Sequence, residues 1–248
     1  MFEVIVGALI AFVVAIAVLT LVSARRAGAS VTLWPYFGLA AFVLIEARAF
    51  VDTPSLADGL QATPSDQTVA YIDDRVSDLV IGGGVTTLGI ACGAVFFAGL
   101  ALRAHEGARD SIAPWLIAIG GAATVAMVGT GAGLFSILAD AASSERAPTT
   151  VAAVYTIFDS LGYIGFTAVG LVTAGVAVGA LREHSFSRTV GWVSFVATGI
   201  FGLCTFLPFL SWAPALLWLL IVGIVLVRED ARRERSIVTA EVTESVQT

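Results

Sequence analysis

Apolar runs of roughly 20 residues recur along this chain, and most of them end in arginine. This repetition constrains the fold more than any motif does. A helix needs roughly 20 apolar residues to cross the hydrocarbon core of a bilayer, where each backbone N–H and C=O must be bonded within the segment itself. The fold class the sequence predicts is therefore all-α, a polytopic transmembrane helical bundle. Composition agrees, with 58% of the 248 residues hydrophobic and only 13% charged, whereas a soluble domain carries about 25% charged residues. That length holds six or seven spans joined by short loops.

Span one covers residues 2–22 and ends at Ser23-Ala24-Arg25-Arg26. A signal peptide has positive charge before its apolar core and small residues at a cleavage site after it. Here Glu3 precedes the core and two arginines follow it, so the segment reads as a retained helix entering from outside. Span two, 31–50, opens on Trp34-Pro35-Tyr36, aromatic residues suited to an interface. An acidic loop at 51–78 follows, with six aspartates against the single Arg75. Spans three to five cover 79–102, 112–139 and 151–181. The last apolar stretch, 189–227, is too long for one crossing and carries Pro208 and Pro214 in its middle. Proline interrupts helical hydrogen bonding and restricts the residue before it, which divides the stretch into span six (189–207) and span seven (211–227). A single kinked helix, giving six spans, is the alternative.

Arginine decides between the two counts. Cytoplasmic loops are enriched in lysine and arginine, and all thirteen basic residues here are arginine. Seven crossings put Arg25, Arg26, Arg103, Arg109, Arg182, Arg188, Arg228, Arg232, Arg233 and Arg235 on one side, against Arg48, Arg75 and Arg146 on the other. The N-terminus is then outside and the C-terminus cytoplasmic, with a bundle over 1–228 and a polar, flexible cytoplasmic tail over 229–248. The expected location is the cell membrane.

Several functions are excluded. Without lysine there is no retinal Schiff base. A net charge of −6 and a pI near 4.8 argue against nucleic-acid binding. Cys92 and Cys204 lie in apolar segments with no partner at metal spacing. Neither HExxH nor GxSxG occurs, and Gly82-Gly83-Gly84 lacks the lysine of a phosphate loop. No catalytic residue, metal site or cofactor is expected. The only histidines, His105 and His184, belong to an internal echo. Leu102-Arg103-Ala104-His105 with Arg109 is repeated in Leu181-Arg182-Glu183-His184 with Arg188. Both read as solvated loop segments.

Ionisable groups at membrane depth are costly and so are functional suspects. Glu46 and Arg48 lie in the outer part of span two. Asp159 lies in span five with Tyr155 and Tyr163 four residues either side, on one helical face. With spans two and five adjacent, Glu46, Arg48, Tyr155, Asp159 and Tyr163 form an outward-facing polar vestibule for a cation or proton. The competing reading is structural: Arg48 pairs with Glu46, Asp159 or Asp52, the tyrosines sit at the headgroup boundary, and Asp159, on an overlong span five, lies near the outer interface. Glycines four apart, Gly89 and Gly93, Gly129 and Gly133, Gly175 and Gly179, supply small faces for helix packing or self-association.

The run Leu161-Gly162-Tyr163 … Ser187-Arg188-Thr189-Val190-Gly191-Trp192, then Leu217-Trp218-Leu219-Leu220 after the proline break, resembles small multi-pass membrane proteins of unknown function. The acidic loop before a glycine-rich third span is similar too. The resemblance implies a compact helical bundle and no assigned activity. The leading expectation is a non-enzymatic, membrane-embedded subunit or association partner, its contacts being the lipid bilayer and a protein partner or further copies of itself. The alternatives are a small-solute or ion transporter using the vestibule and a seven-helix sensor signalling through its tail.

Overall fold

A computed structural model describes residues 33–47, 76–143 and 148–247, and over these residues the chain is entirely helical, without strands. Six helices follow one another: α1 (Trp34–Ala47), α2 (Val76–Gly107), α3 (Ala113–Ser143), α4 (Pro148–Leu181), α5 (Arg188–Cys204) and α6 (Trp212–Gln247). Among the described residues, four segments are long and apolar enough to cross a membrane: Val80–Gly107, Ala113–Leu134, Ser160–Leu181 and Pro208–Arg232. Two shorter apolar helices, Trp34–Glu46 and Arg188–Cys204, accompany them. This is the composition of a membrane protein. The first expected span, 2–22, most of the acidic loop and Arg48 lie outside the described residues.

The division of the last apolar stretch falls where the prolines place it. α5 stops at Cys204, a 3-10 turn occupies Pro208–Leu210, and α6 starts at Trp212. Within the turn, Thr205 N–H donates to the Phe201 carbonyl, Phe206 to Leu203, Leu207 to Cys204, Leu210 to Leu207 and Ser211 to Pro208. The turn thus bonds its own backbone, as a medium without water demands. At its other end α6 runs beyond the expected limit of span seven, at 227, and stays helical to Gln247.

Each helix packs mainly on its chain neighbours, and α6 returns to α1, so the six close into a ring. The register follows from glycine contacts. A Cβ on Gly175 would lie 2.7 Å from Ile117 and 2.8 Å from the Ala113 carbonyl, one on Gly120 2.8 Å from the Val172 nitrogen, and one on Gly165 2.6 Å from Val128. These three contacts run in opposite directions along the two chains, as in an antiparallel α3–α4 pair, at a separation only glycine permits. The α1–α2 pair is antiparallel in the same way. Gly99 lies under the Trp34 ring, Gly38 against Phe96 and Gly89 against Leu44 and Ile45.

Side chains fill the centre of the ring. Phe96, Phe201, Trp218, Leu100, Ile117, Leu226 and Val169 are fully buried. Phe96 meets Trp34 at 5.8 Å and Trp218 at 6.2 Å between ring centroids, tilted and edge-on respectively, geometries that suit the ring quadrupoles. The buried Trp218 indole donates to Ser194 Oγ at 3.0 Å. Thr173 and Thr198 share a hydrogen bond of 2.9 Å between α4 and α5. Thr86, Thr124 and Thr167 donate back to the carbonyls of Gly82, Gly120 and Tyr163 one turn earlier, so their hydroxyls stay satisfied in an apolar setting.

The helices differ in length. At 1.5 Å per residue, α2, α3 and α4 are about 46–51 Å long, whereas α5 is about 25 Å. Ser211 Oγ donates to the Tyr163 carbonyl at 2.9 Å, which sets the α5–α6 turn level with Tyr163. From that level α4 continues for about 22 Å, away from the arginine-bearing end, to Pro148.

Candidate functional site

Polar residues gather at the arginine-bearing end of the ring. Arg103, near the end of α2, points inward with 13% of its side chain exposed. Its two terminal nitrogens each lie 3.6 Å from a carboxylate oxygen of α6, one on Glu229 and one on Asp230. Its Nε donates to the Ser185 carbonyl at 3.3 Å, and its guanidinium stands 5.5 Å from the centre of the Phe186 ring. One arginine therefore joins α2, the α4–α5 turn and α6. The carboxylates are 18–19% exposed, so removing the arginine would leave two partly desolvated charges without it, a larger cost than at a surface ion pair.

The α4–α5 turn is shaped for this contact. His184 adopts a left-handed φ of 60°, uncommon for a residue other than glycine. That reversal lets Ser185 N–H return to the Gly179 carbonyl at 2.9 Å. Glu183 accepts a hydrogen bond from Ser111 Oγ, which itself accepts from the Ala113 N–H at 2.9 Å and so caps α3. Ser187 accepts from Val190 N–H and caps α5. The two echoed sequence segments thus adjoin in space, but their arginines have different surroundings. Arg103 is enclosed, whereas Arg182 is exposed. His105 and His184 are both exposed.

At the opposite end the expected vestibule residues are distributed as follows. Glu46 is half-buried near the end of α1, which packs chiefly on α2 and α6. Tyr155, Asp159 and Tyr163 lie on α4, which packs chiefly on α3 and α5. Asp159 sits one turn beyond Tyr163 and hence one turn outside the level of the α5–α6 turn. The side-chain surroundings of Tyr155 and Asp159, and Arg48 altogether, lie outside the described residues.

α1 and α4 face one another across a small void. Ala41 and Ile45 line it from α1, Phe166 and Val169 from α4, and Phe97 and Val128 from between. Its volume is ≈ 20 Å³ and its wall presents no polar surface. A buried water needs two to four polar partners, which this wall does not offer. Among the described residues, no three His, Cys, Asp or Glu side chains converge as a metal site would require.

The expected packing glycines divide. Gly89 and Gly175 are in tight contact, and Gly179 lies 3.3 Å from Phe186. Gly93 and Gly129 have only ordinary contacts near 3.9 Å, and a Cβ on Gly133 would meet nothing within 4 Å. Further tight positions, at Gly38, Gly99, Gly120, Gly165 and Gly191, stand outside the four-residue pattern. The Arg103 junction was missed as well. Its signal was the Glu229-Asp230 pair directly after an apolar span, at the end where arginine gathers. No family model, curated protein or solved structure matches the chain.

Proposed function

We propose that this protein is a non-enzymatic, membrane-embedded bundle that acts by lateral association, with other membrane proteins or with further copies of itself. The observation that carries this reading is the filled centre. Phe96, Trp218, Phe201 and Leu226 are fully buried among the helices of the ring, and the void lined by Phe97, Phe166 and Leu219 is dry and smaller than a solute. A transporter needs a water-accessible path between polar binding groups, so this packing favours association over transport. The outer surface is open to lateral recognition, with Leu88, Ile119, Ile164, Val196 and Leu217 exposed on five different helices.

In this reading the chain crosses the cell membrane seven times, with the arginine-bearing ends in the cytoplasm and the N-terminus outside. The break at Pro208–Leu210 and the gathering of Arg103, Arg109, Arg182, Arg188 and Arg228 at one end of the ring support that arrangement.

A photo-crosslinking residue at each of positions 88, 119, 164, 196 and 217, in the full chain in native membranes, tests the association. Protein adducts are expected from one or two neighbouring helices and not from the others. Lipid adducts alone from all five positions, together with solute uptake by vesicles holding the purified protein, would replace this reading with the transport alternative.

A further inference from the structure

Beside the Arg103 junction, an open basin of ≈ 640 Å³ lies between the α4–α5 turn and the emerging part of α6. Its lining is part polar and part apolar, and Phe186, which is buried, and Val225 form the apolar floor. Arg228 and Arg232, one helical turn apart on α6, and His184 stand on its rim, all exposed. Ser187 and Thr189, at the amino end of α5, complete the wall.

Charge in the basin is unbalanced because of what happens behind it. Glu229 also borders the basin, but its carboxylate turns to Arg103, as does that of Asp230. Among the described residues, neither Arg228 nor Arg232 lies within ion-pair distance of a carboxylate. Two arginines are therefore left facing the opening, beside the first turn of α5, where unpaired N–H groups and the helix dipole also favour an anion.

The height of the basin specifies the anion further. α5 turns apolar immediately after Thr189, and α6 is apolar up to Val227. The rim thus stands where the bundle passes from apolar to polar, the level of lipid phosphates, and the floor continues into the apolar zone. We propose that Arg228 and Arg232, with the amino end of α5, bind the phosphate of an anionic phospholipid headgroup. Planar guanidinium groups suit phosphate oxygens through paired hydrogen bonds, and basic pockets between helices on the cytoplasmic side suit such headgroups. The phosphate itself has two sources, a lipid and a soluble ester, and the apolar floor favours the lipid.

The test uses the full chain purified in neutral detergent, titrated with short-chain phosphatidylglycerol, phosphatidylcholine and glycerol 1-phosphate, with tryptophan fluorescence as readout. The exposed pair is replaced in the double variant R228Q/R232Q, and R109Q removes an exposed arginine of the same end outside the basin. Phosphatidylglycerol should bind more tightly than phosphatidylcholine, and R228Q/R232Q should weaken it about 10- to 30-fold, with R109Q nearly unchanged. Equal weakening by R109Q, or no preference for phosphatidylglycerol, would overturn the site. Glycerol 1-phosphate binding as tightly as the lipid would overturn the lipid assignment in favour of a soluble phosphate ester.

Discussion

The α3–α4 pair and the α5–α6 pair are both antiparallel helical hairpins that contain glycine, yet glycine closes the interface within the pair only in the first, since Gly191 and Gly223 of the second pack on α4 and α1 instead. Between α3 and α4, Gly120, Gly165 and Gly175 bring the backbones into contact along much of the interface. On α5, Gly199 and Gly202 face open space, and α5 meets α6 through fewer contacts, including the Trp218–Ser194 hydrogen bond. The first hairpin is long and sealed. The second is shorter, and its turn is an apolar tip, with Leu203 72% and Phe206 83% exposed. A glycine in a membrane helix thus marks either a closed seam or an open surface, and only its neighbours tell which.

The largest effect should separate the two hairpins outright. Gly175→Leu drives a branched side chain into Ile117 and the Ala113 carbonyl, and overpacking of this kind costs about 3 kcal/mol or more. Gly199→Leu meets nothing and should shift stability by less than about 0.5 kcal/mol. Thermal unfolding in detergent compares them, and equal losses would dissolve the distinction.

Arg103→Gln comes next. It strands Glu229 and Asp230 partly buried, for about 2 kcal/mol, between the values for exposed and buried pairs. Because Arg103 ties α6 to α2 and to the α4–α5 turn, proteolysis should quicken in the α5–α6 hairpin and not in α3–α4. Even acceleration across both would contradict that tie.

Trp218→Phe keeps most of the ring and removes the donor to Ser194, for about 1–2 kcal/mol. The smallest effect belongs to the Thr173–Thr198 bond. A double-mutant cycle with valine should return about 0.6 kcal/mol of coupling, the scale for such bonds in membrane bundles. A coupling near zero would leave α4 and α5 joined by packing alone.

Much of the fold was legible in advance because it follows from local chemistry. The helices fall on the apolar runs, and Pro208 ends a helix for reasons of its ring and missing N–H. The site was far less legible. Gly129 and Gly133 match the small-residue spacing as well as Gly175 and Gly179 do, yet only the latter pair lies close against neighbouring residues. That difference depends on which face of α3 meets α4, a matter of tertiary register. Likewise the pairing of Arg103 with residues more than a hundred positions later depends on the ring closing. For Asp159 the excess length of span five already pointed to a carboxylate near the outer end of the span, and what the sequence does not reveal is where the α5–α6 turn stands against α4.

The central claim is that the arginine-bearing ends share one side of the membrane and the α3–α4 turn lies on the other. Single cysteines, introduced by Arg109→Cys or Ser144→Cys after Cys92 and Cys204 are replaced by alanine, measure this directly with an impermeant maleimide on intact cells. The account predicts labelling at position 144 in intact cells and at position 109 only after permeabilisation. Labelling of both positions from the same side would contradict it.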